Sequence, residues 1–244
     1  MKTKLIIFAL LGAFALGATF VFNKRKIHLR SIIHKIESFK KPPTIQHFGI
    51  DISHHQGCIN WGQVATINKK DSIRFVFMKA TEGAFHIDTR FSYNWEEARK
   101  KGLKRGAYHF YNPNMNSTLQ ANHFINTVEL GAGDLPPVLD IERASTIQSN
   151  AKLVAGLKNW LRIVEDHYGV KPIVYSGSSF YHNHLFSDLS DYPLWVANYN
   201  KYANPTNYPW HIWQFTEKGR VDGIEGRVDV NGVHPDFVGW YVKD

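Results

Sequence analysis

Residues 136–142 read PPVLDIE: two prolines, a short apolar run, and then two carboxylates one residue apart. Side chains alternate between the faces of a β-strand with a period of two, so Asp140 and Glu142 point the same way, roughly 6–7 Å apart along the strand. Two like charges held this close repel each other. What that repulsion is for depends on whether the rest of the chain repeats the pattern of an apolar run ending in polar residues.

It does. HFGIDIS (47–53), IRFVFMKATEG (73–83), RGAYHFY (105–111) and KPIVYSG (171–177) are short runs rich in β-branched and aromatic residues. Helical patterns separate them. The clearest cover 90–101, 117–130 with Ser117 as the N-cap, and 151–168, where Leu153, Val154, Leu157, Trp160, Leu161 and Val164 recur at spacings of three and four. Strands alternating with helices predict a parallel sheet of βα units. Three more strands follow, PLWVANY (193–199), WHIWQFT (210–216) and GRVDVNG (226–232), joined by turn-rich segments. The fold class read from this order is α/β, an irregular TIM-like barrel with five βα units followed by three further strands.

Composition narrows the function. The chain has 244 residues, 43% hydrophobic and 14% aromatic, which supplies a packed core and excludes a disordered protein. Its net charge of +8 is not spread along it: residues 1–44 hold nine Lys or Arg and one acid, whereas 45–244 hold twenty of each sign. The main domain therefore carries no nucleic-acid footprint. The single cysteine, Cys58, excludes an intrachain disulfide framework and reads as an incidental thiol.

The basic N-terminus has its own logic. Lys2 and Lys4 precede an uncharged apolar run of eighteen residues, Leu5 to Phe22, and Lys24, Arg25 and Lys26 follow it. A run of that length just spans a bilayer, and its basic flank suits an anchor. Ala13-Phe14-Ala15 also offers a small-x-small cleavage pattern, so a cleaved signal peptide stays open. Both readings export the chain. The expected organisation is a membrane anchor or signal over 1–23, a basic stalk over 24–44 closed by Pro42-Pro43, and the main domain over 45–244 on the extracytoplasmic side. A monomer is expected.

In an α/β barrel the catalytic groups come from the C-terminal ends of the strands. Here those ends are acidic: Asp51 ends the first strand, Lys79 and Glu82 close the second, Asp140 and Glu142 end the fourth, and Asp229 lies in the last. Aromatic residues accompany them, namely Tyr108, Tyr111, Tyr175, Trp195, Tyr199 and Trp213. Carboxylates and flat rings suit a sugar chain: pyranose C–H faces pack on aromatic planes, while acids accept hydroxyl hydrogen bonds and transfer protons. Two other chemistries are disfavoured. There are thirteen histidines, but neither His54-His55 nor His182-x-His184 has the H-E-x-x-H spacing of a zinc enzyme, so no metal or cofactor is expected. YSGSS (175–179) is not the G-x-S-x-G of a serine esterase.

Taken together, GIDISHHQGCINW, FVFMKATEG, GAYHFY, PPVLDIE, KPIVYSG, LWVANY, IWQFT and VDVNGV resemble the glycoside hydrolase family 25 lysozymes, which cut peptidoglycan between N-acetylmuramic acid and N-acetylglucosamine. The resemblance runs from Phe48 to Val233 with the motifs in family order, and Asn60 stands where the family often has an acid. It implies Glu142 as general acid/base, Asp140 as its partner, Asp51 and Asp229 as the remaining active-site acids, and peptidoglycan glycan strands as substrate. Two alternatives stand beside it. Chitinase-like enzymes also end a strand with D-x-E but carry a longer acidic run, and a silent glycan-binding protein could share the surface. Within the lysozyme reading the crowding of Asp140 and Glu142 has a purpose: a neighbouring carboxylate disfavours the ionised form and keeps Glu142 a usable acid near neutrality.

Overall fold

The computed structural model describes Ile45 and residues 47–200 and 205–237. The apolar run Leu5 to Phe22 and the basic segment 24–44 lie outside the described residues. No helix among the described residues is long and apolar enough to cross a membrane.

Eight strands form the barrel: β1 (His47–Ile52), β2 (Asp71–Glu82), β3 (Lys104–Phe110), β4 (Val138–Asp140), β5 (Ile173–Gly177), β6 (Leu194–Ala197), β7 (Ile212–Gly219) and β8 (Val228–Val233). β1 to β7 run parallel in sequence order, and β8 closes the ring antiparallel to both β7 and β1. The closing strand turns back because the link from Arg220 to Arg227 contains only a tight turn, and a parallel crossover needs a dozen or more residues.

Four βα units carry α-helices: α1 (Phe91–Lys100), α2 (Ser117–Thr127), α3 (Asn150–Tyr168), and the short pair α4 (Ser178–His184) and α5 (Phe186–Leu189). The first expected helix is replaced by one 3-10 turn, His54–Gln56, capped by Ser53. Two details of the sequence reading shift. The N-cap of α2 is Asn116, whose side chain accepts from the Leu119 amide, and the helix ends at Thr127, with Val128 extended. Ser117 instead accepts a hydrogen bond from Asn159 of α3 at 3.0 Å, tying the two helices together. α3 buries the six apolar residues expected of it and stops at Gly169, whose left-handed φ of 66° costs glycine nothing.

Strand parity divides the core in two. Outward residues such as Ile50, Val76, Leu139, Ile141 and Val174 join the helices in the outer layer. Inward residues Phe75, Phe77, Val138, Ile173, Tyr175, Trp195 and Ile212 fill the lumen. Room for these rings comes from glycine: a Cβ at Gly49 or Gly106 would lie 2.4 Å or 2.3 Å from the ring of Phe75 or Phe77 respectively. The lumen is thus an apolar plug, on which the next inward residues of several strands, Asp51, Lys79, Tyr108, Asp140 and Gln214, form a polar layer.

Candidate active site

That polar layer lines an open cavity of about 420 Å³ at the C-terminal end of the strands, bounded by Asp51, Lys79, Glu82, Asp140, Glu142 and Asp229 together with Tyr108, Tyr175, Trp195 and Tyr199. Ten of the twelve residues read as site residues meet there. Tyr111 and Trp213 do not. Tyr111 lies three residues after Tyr108, so it faces the outer layer, buried against Gly156 of α3. Trp213 is next to inward-facing Gln214 and points outward, donating its Nε1–H to the Asn198 carbonyl at 2.7 Å. A period of two forbids either from sharing the cavity with its neighbour.

The end of β4 is held open by its neighbours. Tyr111 N–H donates to the Asp140 carbonyl at 2.8 Å, Ile141 N–H to the Tyr175 carbonyl at 3.0 Å, and Ser176 Oγ to the Ile141 carbonyl at 2.7 Å. Extended pairing therefore continues through Ile141, which is buried in the outer layer, while Asp140 and Glu142 face the cavity. Asp140 is buried, and its Oδ1 has no hydrogen-bond partner among the described groups. Burial, then Glu142 and Asp51, push its pKa well above the usual aspartate range, with Lys79 opposing. Glu142 stands above it at the exposed mouth. Loss of water around its carboxyl raises its pKa, against the pull of Arg143 and Lys79. Both shifts favour the protonated carboxyl; the crowding expected to act on Glu142 acts on Asp140, and Glu142 is raised by loss of water instead.

Asp51 is gripped by the two strands that follow β1 around the closing edge of the barrel, β8 and β7. Gln214 Nε2 and Asn231 Nδ2 both donate to its Oδ2, at 2.9 Å and 2.7 Å. Each amide is itself oriented by donors: Tyr175 and Tyr199 hydroxyls donate to Gln214 Oε1 at 2.9 Å and 2.7 Å, and the Trp195 indole N–H donates to Asn231 Oδ1 at 2.8 Å. An indole can only donate, so it fixes which way the Asn231 amide points. Asp229 sits opposite Asp51 in the ladder and is hydrogen-bonded to it. Burial raises the pKa of Asp51 to about 6 against the pull of the Asn231 and Gln214 amides, while burial and the Asp51 charge push Asp229 further, to about 8, which makes Asp229 the proton-bearing member of the pair.

Lys79 and Glu82 are three residues apart, a spacing that a regular strand would split between faces. A bulge in the pairing of β2 with β3 between Lys79 and Thr81 shifts the parity, so both reach the cavity and pair at 2.6 Å. Lys79 also lies 4.7 Å from the centre of the Phe110 ring. Gln214, Asn231, Phe110, His55 and Glu217 complete the surroundings. The sequence names none of them as a site residue, His55 entering only within the His54-His55 pair, although Gln214 and Asn231 stand as polar residues at inward positions of apolar strands, the signal that marks Asp140. Among the described residues no cluster of three or more His, Cys, Asp or Glu has the arrangement of a metal site. The His54-His55 pair is otherwise engaged, with His54 Nδ1 hydrogen-bonded to buried Asp88 at 2.7 Å.

A barrel whose strand ends present paired carboxyls beside aromatic walls has the constitution of a glycoside hydrolase. The chain belongs to the glycosyl hydrolases family 25, which it matches over residues 50–224. It is 41% identical over 220 residues to the protein YegX of Escherichia coli strain K12, a match covering 86% of this chain and 80% of that one. It is also 35% identical over 198 residues to lysozyme M1 of Streptomyces globisporus, covering 75% of this chain and 66% of that one. A solved family 25 glycosyl hydrolase from Bacillus anthracis superposes with a TM-score of 0.74 at 27% identity, over 83% of this chain and 96% of that one.

Proposed function

We propose that the protein is a peptidoglycan hydrolase, an N-acetylmuramidase that cleaves the β-1,4 bond between N-acetylmuramic acid and N-acetylglucosamine with retention of configuration. The observation that carries this is the pairing at the end of β4, with Glu142 at the open mouth and Asp140 buried beneath it with an unpartnered oxygen. The lysozyme relative supports the substrate class.

In this reading Glu142 gives its proton to the leaving glycosidic oxygen as the C1–O bond breaks. The acetamido carbonyl oxygen of the same sugar attacks C1, and its N–H hydrogen-bonds to Asp140 Oδ1. That bond favours ionised Asp140, which offsets the positive charge of the cyclised oxazolinium. Glu142, now a base, takes a proton from the water that reopens the ring, and two inversions at C1 give net retention. Asp51 and Asp229 form the wall opposite. Tyr108, Tyr175, Trp195 and Tyr199 offer rings and hydroxyls to the sugars, and Lys79 with Glu82 offers a polar edge.

Mass spectrometry of products from defined peptidoglycan tests the bond: new reducing ends on muramic acid are expected, and reducing ends on N-acetylglucosamine would overturn the reading. A thiazoline mimic of the cyclised sugar should inhibit. A glycosyl ester trapped on Asp140 with a fluorinated substrate would refute substrate assistance, and an inverted first anomer in NMR would refute retention. We also propose that the N-terminal run anchors the enzyme outside the cytoplasmic membrane. The full chain should then sediment with membranes and resist high-salt extraction, whereas a soluble form starting near Leu16 would establish a cleaved signal.

A further inference from the structure

The cavity has an unbalanced charge. Six acidic side chains line it, Asp51, Glu82, Asp140, Glu142, Glu217 and Asp229, and even with Asp229 and Glu142 holding protons the ionised ones outnumber the basic groups: among the described residues the cavity has one lysine, Lys79, buried and already paired with Glu82 at 2.6 Å. A muramyl sugar differs from N-acetylglucosamine by a lactyl ether that ends in a carboxylate, or in a peptide that bears carboxylates. Such an anion entering this mouth meets like charge and needs a cation that no protein acid has taken up.

Arg143 answers that description. It follows Glu142 directly, is exposed, and its guanidinium carbon lies 5.8 Å from the centre of the Phe110 ring, which lines the cavity. Among the described residues it makes no ion pair, and its charge is felt by the neighbouring Glu142 without a direct contact being formed. A guanidinium is planar and carries N–H pairs that can take a carboxylate in two parallel hydrogen bonds, and Arg143 is exposed beside the ring with that capacity. Phe110 also lies under Lys79, so one ring holds both cations at the acidic mouth. We propose that Arg143 is a specificity residue that receives a carboxylate carried on the muramyl substituent, at the rim next to the general acid. This rests on the muramidase reading for the substrate, but it concerns recognition and is measurable without turnover.

The test is calorimetric binding to Glu142→Gln protein, using a short N-acetylglucosamine–N-acetylmuramic acid oligosaccharide with free lactyl carboxylates and the same glycan as its methyl ester. The free acid should bind about tenfold tighter than the ester, a difference that narrows as salt rises. Adding Arg143→Gln should bring the ratio close to one. Arg143→Lys, which keeps the charge and loses the planar fork, should retain part of it. A ratio near one in the Glu142→Gln protein overturns the proposal, as does a ratio that Arg143→Gln leaves unchanged. A third glycan whose lactyl groups carry the stem peptide separates the sources of the anion: tighter binding than the stripped acid assigns Arg143 to a stem carboxylate, weaker binding to the lactyl group. If the ratio is as expected while wild-type protein releases no reducing ends from cell walls, the hydrolase reading falls and the role of Arg143 stands.

Discussion

Asp51 and Asp229 are register partners across the junction where antiparallel β8 meets parallel β1, and their carboxyls are hydrogen-bonded. Two acids can touch in this way only if one of them carries a proton. Asp229 holds it, because Asp51 already receives two amide donors on Oδ2.

The first prediction concerns stability against pH. Asp229 has a folded pKa raised above its unfolded value, so the native state binds the proton more tightly. That stabilisation is complete below the ordinary aspartate range and is lost as pH rises through the raised value. Asp229→Asn keeps a donor toward Asp51 and does not titrate. Thermal melts should therefore show the variant gaining on wild type as pH increases from acid to mildly alkaline, and parallel melting curves across that range would refute the shared proton.

Glu142→Gln keeps the shape of the general acid and removes its proton. Release of reducing ends from cell walls should fall by roughly 10² to 10⁴, with the circular dichroism spectrum unchanged. Because its pKa is raised, the alkaline limb of the wild-type rate profile should lie above the range of free glutamate. Wall-lytic activity within threefold of wild type would remove Glu142 from the mechanism.

At Asp140 the expectation concerns the chemical step. Asp140→Asn cannot offset the charge of the oxazolinium, and it offers the acetamido N–H a weaker acceptor. We expect kcat to fall far more than KM changes, and a variant that loses only affinity would point to a binding role instead.

Behind the reacting acids, Asn231→Leu removes a donor from Asp51 and strands the buried Trp195 N–H. Leaving buried polar groups unpartnered costs about 1–3 kcal/mol each, so denaturant midpoints should fall measurably together with activity. Normal stability in this variant would mean that the network is not holding Asp51.

Gly49→Ala tests the barrel wall. Its Cβ would meet the Phe75 ring at 2.4 Å and the Phe75 carbonyl oxygen at 2.5 Å, and backbone cannot step aside cheaply. Overpacking of this kind costs about 1–3 kcal/mol, to be read from urea unfolding.

All eight strands were legible in the sequence because period-two runs bounded by turn residues are local signals. The same periodicity put Asp140 and Glu142 on one face, where the structure also has them. Applied to Tyr108 against Tyr111, or to Trp213 against Gln214, it also separates cavity residues from outer-layer residues. Tyr111 and Trp213 fall on the outer side by that rule, because parity and not ring chemistry decides which face a strand residue takes.

What the sequence determined by itself was the alternation of strands and helices, the burial of one apolar face on each, and the acids standing at the strand ends. These follow from preferences set within a few residues. Only the tertiary structure decided that β8 runs antiparallel, that a bulge brings Lys79 to Glu82, and that Gln214 and Asn231 clamp Asp51 from 163 and 180 residues away. The reason is physical: a hydrogen bond between strands depends on how the ring closes and in which register, and closure is a property of all eight strands that no local stretch encodes.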